Sequence, residues 1–70
     1  MNKTNFTEFM NEVDQKMNQN GWRYGQAFMN VLYRYNHNAW DAIVHTQYDC
    51  FFSNEKVEFA KLKVAELFQL

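Results

Sequence analysis

The chain has 70 residues, seven Lys or Arg against eight Asp or Glu, and a net charge of −1. That balance lacks the basic footprint of a nucleic-acid-binding domain, and the single cysteine, Cys50, rules out an internal disulfide. With no proline and two glycines, the chain is also short of the turn residues that all-β domains and disordered tails require.

No stretch approaches the ~20 apolar residues of a membrane span, and the opening MNKTNFTEFMNE has no apolar run of signal-peptide type. The expectation is a cytoplasmic protein with no cofactor and no membrane association, folded as one helical domain over residues 1–70. Chains of this size bury only about 60% of their unfolded surface. Seven Phe, four Tyr and two Trp offset that, because each ring can bury roughly 150–250 Å².

Phe6, Phe9, Met10, Val13 and Met17 recur at spacings of three and four, one face of a helix over about 6–19. Asn5 with Glu8 reads as a capping box at its start. Asn20-Gly21 ends it, with Gly21 as the left-handed residue just past the helix. A second helix is expected over about 22–35, with Tyr24, Phe28, Val31, Leu32 and Tyr35 inward and Arg23, Gln26, Asn30 and Arg34 as a polar stripe. Gly25 falls inside it, where glycine costs ~1 kcal/mol relative to alanine. Another helix or an aromatic ring packed on the backbone would offset that cost.

Asn36-His37-Asn38 breaks the pattern. Asn38 can cap a short helix over about 39–45 that turns Trp40, Ile43 and Val44 to the core. Residues 46–52, TQYDCFF, show no helical stripe and read as a structured loop pinned by Phe51 or Phe52. Ser53-Asn54 can cap a last element over about 55–68, with Val57, Ala60, Val64, Leu67 and Phe68 on one face. Val57-Glu-Phe and Leu62-Lys-Val alternate as a strand would, but length and the Ala, Lys, Glu and Leu content favour helix. The expected architecture is all-α: three main helices and one short one in a compact small bundle.

His37, Asp41, His45, Asp49 and Cys50 are the residue types that bind zinc. No paired CxxC or HxxxH spacing accompanies them, so they read as structural or surface groups. Cys50 with His45 or His37 would be a nucleophilic pair, but nothing in the sequence supplies an activated thiolate or an oriented base. Cys50 reads instead as a small buried hydrophobe. Arg23, between Trp22 and Tyr24, can fork to a carboxylate, and Asp49 is the expected partner. The stripe Phe6 to Met17 could serve a partner, yet reads more simply as core.

Trp22-Arg23-x-Gly25-Gln26-Ala27, then Asn30 and Leu32, followed by Thr46-x-x-Asp49-Cys50-Phe51-Phe52, resembles a pattern in small uncharacterised proteins of tailed bacteriophages and some bacteria. Their W-R-x-G-Q-A-x-x-N-x-L helix precedes a T-x-x-D-P-F-Y-like loop; here Cys50 stands for the proline and Phe52 for the tyrosine. The resemblance covers roughly residues 21–60. It implies a short, helical, cytoplasmic, phage-encoded protein and carries no activity with it.

The expected function is therefore non-catalytic contact with a protein partner, possible host proteins included, or with a second copy as a homodimer. Arg23, Gln26, Asn30, Arg34, Thr46 and Asp49 form the expected interaction surface. Weak nucleic-acid binding through Arg23 and Arg34 is the alternative.

Overall fold

The computed structural model describes residues 2–68, with side chains from Phe6 onward. Four helices follow one another: α1 (Asn2–Asn20), α2 (Tyr24–Tyr35), α3 (His37–Ile43) and α4 (Lys56–Phe68). Among the described residues there is no strand. The all-α bundle expected from the sequence is the fold observed. No described helix is long and apolar enough to cross a membrane.

α2 occupies the centre and packs on each of the other three helices, while α1 and α3 each pack on α2 and α4. A helix surrounded in this way cannot keep a single apolar stripe. Ala27 and Met29 are therefore buried alongside the expected Phe28, Val31 and Leu32, whereas Tyr35 at the end of the helix is exposed. Phe9 and Val13 from α1, Ile43 from α3, and Val57, Ala60 and Val64 from α4 complete the core.

Aromatic rings tie the helices together. Phe9 meets Phe28 edge-on at 5.2 Å and Phe68 at 5.4 Å, and Phe6 meets Phe68 at 5.6 Å. Each such pair adds about 0.5–1.5 kcal/mol beyond the area it buries. Phe9 and Val13 are fully buried, so the α1 stripe is core. No buried side-chain nitrogen or oxygen among the described residues lacks a hydrogen-bond partner.

Gly21 has φ +67° and donates its N–H to the Met17 carbonyl at 2.9 Å. This is the left-handed helix stop anticipated there. Other boundaries and caps differ from expectation. α1 already includes Asn2–Asn20, so Asn5 lies inside the helix and not at its N-cap, and the expected capping box falls on a side chain outside the described ones. α2 begins at Tyr24, because Arg23 is extended (φ −70°, ψ 161°) and only its carbonyl enters the helix, accepting the Ala27 N–H at 2.9 Å.

Asn36, not Asn38, caps α3: its side-chain oxygen accepts the Ala39 N–H at 3.1 Å. The polar break is thus one residue wide, and the same residue closes α2 through its N–H to the Leu32 carbonyl. Ser53 and Asn54 do not cap α4 with their side chains; their carbonyls accept Lys56 and Val57 N–H at 3.2 Å. The Asn54 side chain turns back to α2 instead.

Candidate functional site

The segment between α3 and α4 is a loop fixed by its own polar residues. His45 is in the left-handed region (φ 64°), a conformation that histidine tolerates better than most. Its N–H donates to Asp49 Oδ2 at 2.8 Å, and the Phe51 N–H donates to Asp49 Oδ1 at 3.1 Å. Thr46 Oγ1 accepts the Tyr48 N–H at 3.2 Å and donates to the Ile43 carbonyl. The Thr46 carbonyl accepts the Asp49 N–H at 3.0 Å. Thr46 and Asp49 therefore satisfy the loop's backbone in the way Asx and Ser/Thr turns do.

The loop is clamped onto α2 at Gly25. A Cβ there would stand 1.9 Å from the Cys50 carbonyl oxygen and 3.2 Å from that of Ser53. The close neighbour is thus the backbone of the loop, not the helix or aromatic ring expected from the sequence. Asn54 Oδ1 accepts the Gly25 N–H at 2.9 Å. That N–H belongs to the first turn of α2, where no intrahelical acceptor exists, and the Arg23 side chain does not supply one.

Cys50 sits under this clamp, fully buried. Burial, and then the neighbouring Asp49 charge, push its thiol up from 9.0 to about 12. It stays protonated near neutral pH and is not an activated nucleophile.

Arg23 is exposed and makes no ion pair with Asp49; among the described residues the ion pairs are Glu12–Lys16, Glu58–Lys61 and Lys63–Glu66. The Asp49 oxygens are instead engaged by the loop's own His45 and Phe51 N–H groups. His37, Asp41, His45, Asp49 and Cys50 do not converge either: no three His, Cys, Asp or Glu among the described residues could hold a metal ion.

Two surface grooves of about 290 Å³ each flank Asn30. The first runs between α1 and α2, with Glu12, Lys16, Trp22, Val31, Arg34 and Tyr35 on its walls. The second lies between α2, α3 and the loop. Met29, Tyr33, Trp40 and Val44 line it, with Phe51, Phe52, His45 and Asp49 at the loop side. Tyr33 meets Trp40 edge-on at 4.7 Å. Phe51 is half-buried and packs on the core, so it is the ring that pins the loop, whereas Phe52 is 83% exposed.

Of the expected surface, Asn30 borders both grooves, Arg34 the first and Asp49 the second. Arg23 and Gln26 border neither of these two, and Thr46 works inside the loop. Sequence reasoning did not single out Tyr33, Trp40 and Phe52 as a shared surface. The only signal was an aromatic excess larger than the buried core uses.

No protein-family model, no curated protein and no solved structure matches this chain.

Proposed function

We propose that the chain acts by protein–protein contact without catalysis, as a phage-encoded accessory or host-interaction factor in the host cytoplasm. One observation carries the reading: a hydrogen-bonded loop holds Phe52 83% exposed beside a groove walled by Tyr33 and Trp40. Exposed aromatic rings around a preformed recess are what binding hot spots are made of, and clustered apolar surface of this kind marks interaction sites.

The phage-like pattern supports the same division of labour. Gly25, Ala27, Leu32, Thr46, Asp49 and Phe51 are absorbed by the clamp, the loop and the core. Arg23, Gln26, Asn30 and Phe52 keep solvent-facing surface. They are among the residues of the pattern open to a partner, as is Trp22 on the wall of the first groove.

Immobilised wild-type chain should retain a host protein that Phe52→Ala and Tyr33→Ala release, with affinity reduced at least about tenfold and circular dichroism unchanged. Equal retention by all three would sink the reading. The alternative, weak nucleic-acid binding, is favoured by the exposure of Arg23 and Arg34, neither in an ion pair among the described residues. The chain's net charge of −1 weighs against it. Retention on single-stranded DNA that disappears with salt and with Arg23→Glu/Arg34→Glu would favour that alternative.

A further inference from the structure

We propose that the groove between α2, α3 and the loop takes an arginine side chain of a partner protein, with the guanidinium held in an aromatic corner. The proposal rests on the groove being a docking surface and names the chemistry that fills it.

Two aromatic pairs line the groove. Tyr33 and Trp40 stand 4.7 Å apart at 86°, and Phe51 and Phe52 of the loop stand 4.8 Å apart at 70°. The inside corner of a right-angled pair is bounded by both ring faces, and ring faces carry the negative part of the aromatic quadrupole. A cation within about 6 Å of a ring centroid is attracted to it. The Tyr33–Trp40 corner is held from outside. His37, which is not among the groove's walls, rests against Tyr33 at 4.8 Å and Trp40 at 5.3 Å.

The charge on the rim has the complementary sign. Asp49 stands there, and no Lys or Arg among the described residues lines the groove. With histidine counted as neutral at pH 7, His45 adds no positive charge. Asp49 belongs to no ion pair among the described residues. Its backbone hydrogen bonds use each carboxylate oxygen once and leave each a further lone pair. An apolar side chain would cover the rings and leave this charge unanswered, whereas a cation answers both.

Arginine fits better than lysine. Its guanidinium is planar and weakly hydrated, and it stacks on a ring while its edge N–H groups donate to a carboxylate. The compact ammonium of lysine holds its water more strongly. The groove measures about 290 Å³ and has Met29 and Val44 on its walls, so it also accepts the methylene stem of arginine.

The full chain titrated with N-acetyl-arginine amide, followed by the Trp40 indole N–H signal, tests this. Half-saturation is expected at about 1–10 mM. The Trp22 signal, from the other groove, should not move. N-acetyl-citrulline amide, the uncharged isostere, should bind at least about tenfold more weakly, and the lysine and phenylalanine amides more weakly than arginine amide. Tyr33→Ala should weaken arginine binding at least about fivefold. Asp49→Asn, which removes the charge and keeps an acceptor for the loop, should weaken it about threefold. An unmoved Trp40 signal overturns the proposal, as does arginine binding that both variants leave unchanged. Citrulline, lysine or phenylalanine amide binding as tightly as arginine amide overturns it too, but leaves the groove a docking site for another side chain. The wider reading falls separately, when the Phe52→Ala and Tyr33→Ala chains retain the host protein as wild type does.

Discussion

The side-chain oxygen of Asn54 accepts the backbone N–H of Gly25 at 2.9 Å across 29 residues of chain. It does for α2 what an N-cap residue does, from a different element. Asn54→Ala should cost about 1 kcal/mol, up to about 2 kcal/mol, the range for lost caps. Asn54→Asp should keep the acceptor and add a favourable charge at the helix N-terminus. Urea titration of the three proteins checks this; equal losses for Ala and Asp would mean that the bond is not what matters.

Gly25 and Gly21 are glycines for different reasons, so alanine should affect them differently. Gly21 needs its positive φ and has open space around it. Gly21→Ala should cost about 1–2 kcal/mol, the strain of a left-handed residue with a Cβ. At Gly25, helix propensity alone favours alanine by ~1 kcal/mol, but the new Cβ would collide with the Cys50 carbonyl. The loop would have to lift, breaking the Asn54 bond as well. Gly25→Ala should cost about 2 kcal/mol or more, and thermal melts of both variants would show the larger drop there.

The parts of this arrangement readable from sequence are those set by periodicity. Phe9, Val13, Phe28, Leu32, Val57 and Val64 repeat at helical spacing, and all are buried. Met29 escapes that logic because α2 is enclosed on several sides. The caps escape it too. Asn36, Asn38 and Asn54 are equally good acceptors by composition, and only tertiary placement decides which N–H each one reaches. Gly25 announced a close approach but not what approaches. The aromatic groove draws Tyr33, Trp40 and Phe52 from three elements, a juxtaposition that no local spacing encodes.

Asp49 supports the loop, and Arg23 does not support Asp49. Asp49→Ala leaves the His45 and Phe51 N–H groups to water and should cost about 1 kcal/mol. Asp49→Asn keeps one carbonyl oxygen and should cost less. Arg23→Ala should stay within about 0.5 kcal/mol of wild type, as exposed substitutions do. Amide hydrogen exchange at His45 and Phe51 is the direct readout: faster in Asp49→Ala, unchanged in Arg23→Ala. An Arg23 variant as damaging as the Asp49 variant would restore the clasp between them.

Cys50 gives the fold an alkaline limit. Its thiol is raised from 9.0 to about 12 in the native chain, chiefly by burial and then by the Asp49 charge. Above pH 9 the unfolded chain sheds this proton while the folded chain keeps it, so the unfolded state gains free energy as pH rises. The stabilisation is complete below pH 9 and is lost progressively as pH approaches 12. Between pH 8 and pH 10 the loss from this one group should be about 1.4 kcal/mol. The measurement is a difference: wild type minus Cys50→Ala, by urea titration at each pH. The alanine variant starts less stable, having lost a buried sulfur, and the gap should narrow by that amount at pH 10. A gap that stays constant would mean that the thiol ionises in the folded chain as easily as in the unfolded one.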